Sequence, residues 1–508
     1  MSKTTKGLLL LLSLGLGCDT AEVKPPVVTP PVEDKSVRVR SIRSYHTASG
    51  VEDRPDDFAV PVELFLLEGE SFKAFPGALA EPGEYVFADV PDGTYYLKRG
   101  DSYSVTSARR LDWSAHRLGR ADAQELSVPP FSTEVWLDID GLEPWAALTE
   151  SAEAGMQLVS GELNVTGYIY ANETVLPGET SARHVRVSYD NVYPRLYRFE
   201  QERGDRAWVN QLVPRVAGTL ADGSALRYST VVRSLHLEPF SFDGKDEWPI
   251  PVRGTFRELP LQQRSLNWAL SSFVSHATDV HPTATLGSAI FALSPLAHGA
   301  ELDLWMGYSG DLFSFSLPKG YATDVSATFT YGNPYPSTWG EVADVSVPFR
   351  VRYSVPGVAE PLSIDAWMGA YEPVSALAAG PVQPRALPPR GLKIDGEDAY
   401  VAQPLALGSH VISWQPPASG QVSIYELRLR RYVVAEWGAV LSAESVSFNV
   451  EGSATSVRLP PDVLKPASHY IFQLSTLSAP GLSLENLGAR YALPSARAPT
   501  LSGLLSTP

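Results

Sequence analysis

The sequence predicts an all-β protein built of three tandem domains, mostly antiparallel β-sandwiches, carried behind a signal peptide and a proline-rich tether. Three observations predict it. Short runs rich in Val, Ile, Tyr, Phe and Trp recur along the 508 residues, and turn clusters drawn from 42 prolines and 39 glycines separate them. The runs 226–232, 345–353 and 425–432 largely alternate apolar with polar or charged residues, as strands with one wet face do. Helical periodicity is nearly absent, and short strands between proline and glycine turns argue for sandwiches or closed sheets.

The N-terminus reads as an address label rather than as structure. Lys3 and Lys6 form a basic head, the run from Gly7 to Leu16 is apolar apart from Ser13, and Gly17 precedes Cys18. That run is too short to span a bilayer and has the length of the hydrophobic part of a secretory signal. Cys18 is the only cysteine of the chain. The segment resembles the lipoprotein signal class, in which cleavage falls before a cysteine whose sulfur carries a diacylglyceryl group. Gly15 and Leu16 exchange the usual aliphatic and small positions, and an ordinary cleaved signal is the alternative. The resemblance implies a signal over 1–17, lipidation at Cys18, and attachment to a membrane through buried acyl chains. Prolines 25, 26, 30 and 31 make 18–36 a tether of extended polyproline character.

With Cys18 at the anchor, no thiol is left for disulfides, thiolate metal sites or cysteine catalysis. The formal charge is −16, with 57 acidic against 41 basic side chains. Such a surface repels nucleic acid, so no nucleic-acid partner is expected.

A first domain over 37–130 contains Phe87-Ala-Asp-Val90-Pro91-Asp-Gly93-Thr-Tyr95-Tyr-Leu97, which spells strand, tight turn and strand. Tyr95 and Leu97 fall on one face of the outgoing strand. This resembles the hairpin of carboxypeptidase-regulatory-like, or transthyretin-like, sandwich modules, which implies a structural or binding role and no catalytic residues.

The region 131–377 is large and all-β. It contains an echo: Leu302-Asp303-Leu-Trp305-Met306-Gly307-Tyr308 recurs as Ile364-Asp365-Ala-Trp367-Met368-Gly369-Ala-Tyr371. An upstream strand precedes each copy, so each is expected to be the second strand of a hairpin, duplicated across a sandwich or, alternatively, between propeller blades. Residues 378–391 carry four prolines and are expected to be a linker.

The last domain, 392–508, offers a second resemblance. Trp414-Gln-Pro416-Pro417 ends an early strand, Tyr425 opens the next, and Leu464-Lys-Pro466-Ala-Ser-His-Tyr470 lies near the end. The order is similar to that of a fibronectin type III sandwich. It implies a core of Trp414, Tyr425, Leu464, Pro466 and Tyr470, with Tyr470 as a tyrosine corner. The stretch 433–454 departs from that pattern and is expected to hold an enlarged central hairpin.

No mechanistic motif appears: no G-x-S-x-G elbow, no H-E-x-x-H, no Walker loop and no G-x-G-x-x-G after a strand. No catalytic residue is nominated, and no cofactor. His276, Asp279 and His281 have metal-ligating side chains, but their spacing reads as non-helical and no further ligand accompanies them. Asp138, Asp140 and Glu143 around Gly141, and Asp243, Asp246 and Glu247 around Gly244, resemble calcium loops in composition without the full alternating pattern. In the run Tyr331-Gly-Asn-Pro-Tyr335-Pro-Ser-Thr-Trp339, the rings of Tyr331, Tyr335 and Trp339 either stack on a sugar or anchor a partner, or else cover a sandwich end.

The functional expectation is a non-enzymatic, lipid-anchored cell-envelope protein, placed on the outer membrane of a Gram-negative cell, that presents β-sandwiches for adhesion, scaffolding or ligand binding. Its expected partners are the membrane, through the lipid, and an envelope protein or glycan. The alternative is an anchored hydrolase acting on polysaccharide with a catalytic middle region.

Overall fold

The computed structural model describes residues 34–126, 133–146, 154–193, 195–244 and 249–508. Cys18, the tether up to residue 33, Asp246 and Glu247 lie outside the described residues. The chain is all-β, with only three short α-helices among the described elements.

In the first domain the Phe87–Leu97 segment is not a hairpin. Glu84–Phe87 pairs with Val37–Arg40 and Ala78–Glu81. Tyr95–Arg99 belongs to another sheet, between Glu63–Glu68 and Ser102–Thr106. Gly93, at φ 134°, and Asp89, at φ 52°, carry the chain over the end of the sandwich instead of back along the same sheet. Phe87 from one sheet and Tyr95 and Leu97 from the other then close on Val37 and Val39 in one core.

Tyr95–Arg99 is buried on both faces. Tyr96, opposite to Tyr95 and Leu97 in the pleat, enters the core of the last domain together with Tyr103 and Val105. The connection is a ladder: Ser102–Thr106 pairs in parallel with Val446–Glu451, and Tyr103 stacks on Phe448 at 4.6 Å. The two ends of the chain therefore share a sheet, which covers an edge that each would otherwise leave open.

The middle region contains two cores. Thr133–Asp140, Gly155–Ser160, Val165–Tyr170, Ala182–Asn191 and Ile250–Thr255 enclose the first. The second is built on stacked phenylalanines from two layers: Phe313 and Phe315 lie 4.8 and 5.0 Å from Phe329. One long hairpin, Ala207–Thr219 with Ala225–Leu237, serves both, giving Val209 and Leu235 to the first and Leu226 and Tyr228 to the second.

Residues 378–391 are packed rather than free. Ala376–Ala379 is helical, the Val382 amide donates to the Asn267 carbonyl, and the Leu387 carbonyl accepts from the Thr476 hydroxyl.

The last domain sets a sheet of Arg390–Ile394, Glu397–Asp398, Val411–Gln415 and Ser456–Arg458 against Ile424–Val434, Val446–Glu451, His469–Ser478 and Ser495–Leu501. Trp414, Tyr425, Leu464 and Tyr470 are buried between them. The Tyr470 hydroxyl accepts the Lys465 amide at 2.8 Å. Pro466 differs: it is exposed, because the chain turns there, and Ala467 follows at φ 48°. In the stretch 433–454, Val440–Ser442 folds back on the end of Ile424–Val434.

A candidate binding cleft lined by arginine and tyrosine

The cleft starts from a two-strand register. Ile42–Thr47 and Ala115–Leu118 pair in parallel, with Ala115 beside Arg43 and Arg117 beside Tyr45. Residues two apart on a strand share a face, so Arg43, Tyr45 and Arg117 emerge together. They face a cleft of about 740 Å³ whose other walls are Tyr193, Arg195 and Tyr197, the loop residues Trp305 to Gly307, and Tyr491.

The loop copy of the echo is the floor. Trp305 stacks on Tyr371 with centroids 4.3 Å apart and meets Tyr491 edge-on at 5.6 Å. Its amide donates to the Tyr491 carbonyl, and the Tyr308 amide donates to the Tyr193 hydroxyl at 2.7 Å. Gly307 keeps the floor low: a Cβ there would stand 3.3 Å from Asn164 Oδ1 and 3.4 Å from the Tyr193 hydroxyl. Tyr491 is held by its neighbour, since Arg490 pairs with Glu426 at 3.2 Å. Burial works to raise the Glu426 carboxyl, but Arg497, Arg490 and Arg428 hold it below its ordinary value.

The four guanidinium groups of the cleft are not equivalent. Arg120 is saturated by Asp205, Glu200 and Asp122 at 2.6 to 3.0 Å. Arg43 reaches Asp56 only at 3.5 Å, and that carboxylate already takes a bidentate pair from Arg99 at 2.8 and 2.9 Å. Arg195 stands 3.8 Å from Glu125, with both side chains at least half exposed. Arg117 is exposed, and its guanidinium has no hydrogen bond or ion pair among the described residues. An excess of positive charge with open donors thus lines a cleft on an acidic protein.

Elsewhere the structure redistributes the candidates. Tyr331, Tyr335 and Trp339 are all buried, so they do not form an exposed stacking surface. Trp339 lies parallel to Tyr335 at 4.6 Å and edge-on to Trp208 at 5.1 Å, and the Tyr335 hydroxyl accepts from Asn210 Nδ2. The long hairpin strand that carries Trp208 and Asn210 receives this turn. Ala277–Val280 is helical, contrary to the non-helical spacing, and His276 pairs with Asp279 at 3.0 Å. His281 is turned inward, near the rings of Tyr353 and Tyr400. Among the described residues no group of three or more His, Cys, Asp or Glu side chains is arranged to hold a metal. Asp138 and Asp140 lie on a strand and both pair with Arg183, while Glu143 pairs with Arg215, which leaves no calcium loop there. The second acidic loop falls partly outside the described residues.

Three carboxyls of the middle region carry raised pKa values. Burial pushes Asp344 up to about 6 against a hydrogen bond from Ser346. Burial also raises Asp311, against hydrogen bonds from Ser314, Tyr308 and Ser294. Burial likewise raises Glu162, and none of the three lines the cleft, although Leu163 and Asn164 next to Glu162 do.

Sequence reasoning missed Arg43, Tyr45, Arg117 and Tyr491. The only local signal is the spacing Arg43-Ser-Tyr45, which is ordinary on an exposed strand.

No family model matches the chain, and no curated protein does. Among solved structures it is similar to a segment of two fibronectin type III domains from chicken tenascin, at 15% identity over 45% of this chain and 88% of that one, with a TM-score of 0.16. It is also similar to the FN1-FN3 domains of chicken CNTN1, at 11% identity over 73% of this chain and all of that one, with a TM-score of 0.13. Superpositions this loose carry no argument, and the fold class rests on the strands themselves. The chain is a tandem β-sandwich protein, all-β throughout its described residues.

Proposed function

We propose that the protein is a non-enzymatic, lipid-anchored envelope protein, held on the outer membrane through Cys18, whose sandwiches build a ligand-binding cleft. The observation that carries the binding role is the convergence of Arg43, Tyr45 and Arg117 of the first domain, Trp305 of the middle region and Tyr491 of the last domain on one open cleft. Binding groups concentrate on surfaces that rigid sheets hold in place, and aromatic side chains lose little conformational entropy on docking. The anchoring part rests on the signal sequence and its single cysteine.

A polysaccharide hydrolase is the second reading, favoured by the raised pKa of Asp344. Against it, none of the three carboxyls with raised values lines the cleft, whereas an acid catalyst must reach the bond it protonates.

The test separates the two parts. Cys18→Ser is expected to move the protein from the detergent phase to the soluble or unprocessed fraction, and wild type that is already soluble contradicts the anchor. Tyr45→Ala in the soluble fragment is expected to reduce capture of envelope components at least tenfold with an unchanged melting temperature. Undiminished capture contradicts the cleft as binding site.

A further inference from the structure

We infer that the cleft takes an acidic glycan: a chain of sugar rings bearing carboxylate or sulfate groups. The inference rests on the cleft being the binding site and adds the chemistry of what enters it.

The charge pattern favours an anion. A protein with formal charge −16 repels polyanions over most of its surface, so an anion that binds must find a local reversal of sign. This cleft provides one. Of its ionisable lining residues only Glu125 is acidic, against four arginines, and after Arg120 is discounted three guanidinium groups stand at the walls with weak partners or none. Arginine presents paired donors in a fixed plane, which match the two oxygens of a carboxylate, sulfate or phosphate.

The second half of the recognition is aromatic. Tyr45, Tyr197 and Tyr491 line the walls, and among the described residues no internal hydrogen bond occupies their hydroxyls. Tyr491 is 45% exposed. Apolar sugar faces pack against such rings while phenolic hydroxyls reach the sugar hydroxyls. Arg117 beside Tyr45 in register puts a charge and a ring next to each other on one strand pair, a spacing that suits a ring carrying its own anionic group. Small free anions would use the arginines and leave the rings idle.

The test uses the soluble fragment from residue 37 onward with three probes: polygalacturonate for carboxylate, dextran sulfate for sulfate, and neutral dextran. The variants are Arg117→Ala, Arg43→Ala and Tyr491→Ala, each with its melting temperature measured. At least one acidic polymer is expected to bind and neutral dextran not to; the polymer that binds identifies the anionic group. Arg117→Ala is expected to weaken that binding at least tenfold and to flatten its dependence on salt, with no change in melting. Arg43→Ala reports the same loss should Arg117→Ala alter folding. Tyr491→Ala is expected to weaken binding without changing the salt dependence. Equal binding of neutral dextran that still depends on Tyr491 would overturn the acidic ligand and leave the cleft as a binding site. Binding of acidic polymer that none of the variants alters would overturn both.

Discussion

The segments 302–308 and 364–371 share Asp, Trp, Met, Gly and Tyr in the same order, yet one is a loop and the other is the heart of a strand. The second copy lies within Leu362–Pro373, laddered to Glu341–Tyr353 on one side and to Ser495–Leu501 on the other. Its Asp365 sits opposite Arg350 in register and takes two bonds of 2.7 Å from that guanidinium. The first copy has one isolated bridge, from Leu304 to Ala492, and its Asp303 is in the left-handed region at φ 46°. Pairing partners, not local sequence, decide which copy extends. The copies also touch, because Trp305 of the loop stacks on Tyr371 of the strand. Similar residues thus serve packing in one place and form a cleft floor in the other.

The largest expected effect contrasts the two methionines. Met368 is 1% exposed in the phenylalanine core, whereas Met306 is half-buried at the cleft. Met368→Ala is expected to cost about 2–5 kcal/mol and Met306→Ala about 1 kcal/mol or less in denaturant unfolding. Equal costs would mean that the loop copy is as much a part of the core as the strand copy.

A smaller effect follows from pH. Asp344 lies opposite Tyr371 in register, and its carboxyl titrates near 6 against an ordinary 3.8. A carboxyl raised on folding favours the native state while protonated, so this contribution is full below about pH 4 and is lost as pH rises through 6. Asp344→Asn is therefore expected to stabilise by about 1–2 kcal/mol at pH 7 and to do nothing at pH 4. Asp56 in the first domain behaves oppositely. Burial works to raise it, but Arg99, the Phe58 amide and Ser41 hold it at about 2, so its contribution is present above pH 4 and lost as pH falls toward 2. Melting curves from pH 2 to 8 on wild type and Asp344→Asn check both signs; an identical profile for the two proteins contradicts the Asp344 part.

Much of the fold is legible in the sequence because strands and turns announce themselves locally. Tyr95 and Leu97 share a buried face, and the last domain carries its large residues at sandwich positions. What escaped is long-range. Nothing around Phe87 and Tyr95 says that their strands join different sheets, since Pro91 and Gly93 suit an arch as well as a hairpin. Ser102–Thr106 reads as an ordinary strand although its partner lies more than three hundred residues away. The site was hidden for the same reason: Arg43, Arg117, Arg195 and Tyr491 are unremarkable singly and are brought together only by tertiary pairing. For Tyr335 and Trp339 the sequence leaves a binding surface and a covered sandwich end both open, and Trp208 on a distant hairpin decides for the covered position.

Hydrogen exchange on the two copies, with and without polygalacturonate, tests the division of labour most directly. The amides of Trp305 and Tyr308 bond to Tyr491 and Tyr193, both residues of the cleft wall. Ligand is expected to slow their exchange severalfold while 364–371, laddered throughout to Glu341–Tyr353, is unchanged. Bound ligand that leaves 302–308 unchanged, or that alters 364–371 instead, would contradict the assignment of the loop copy to the binding site.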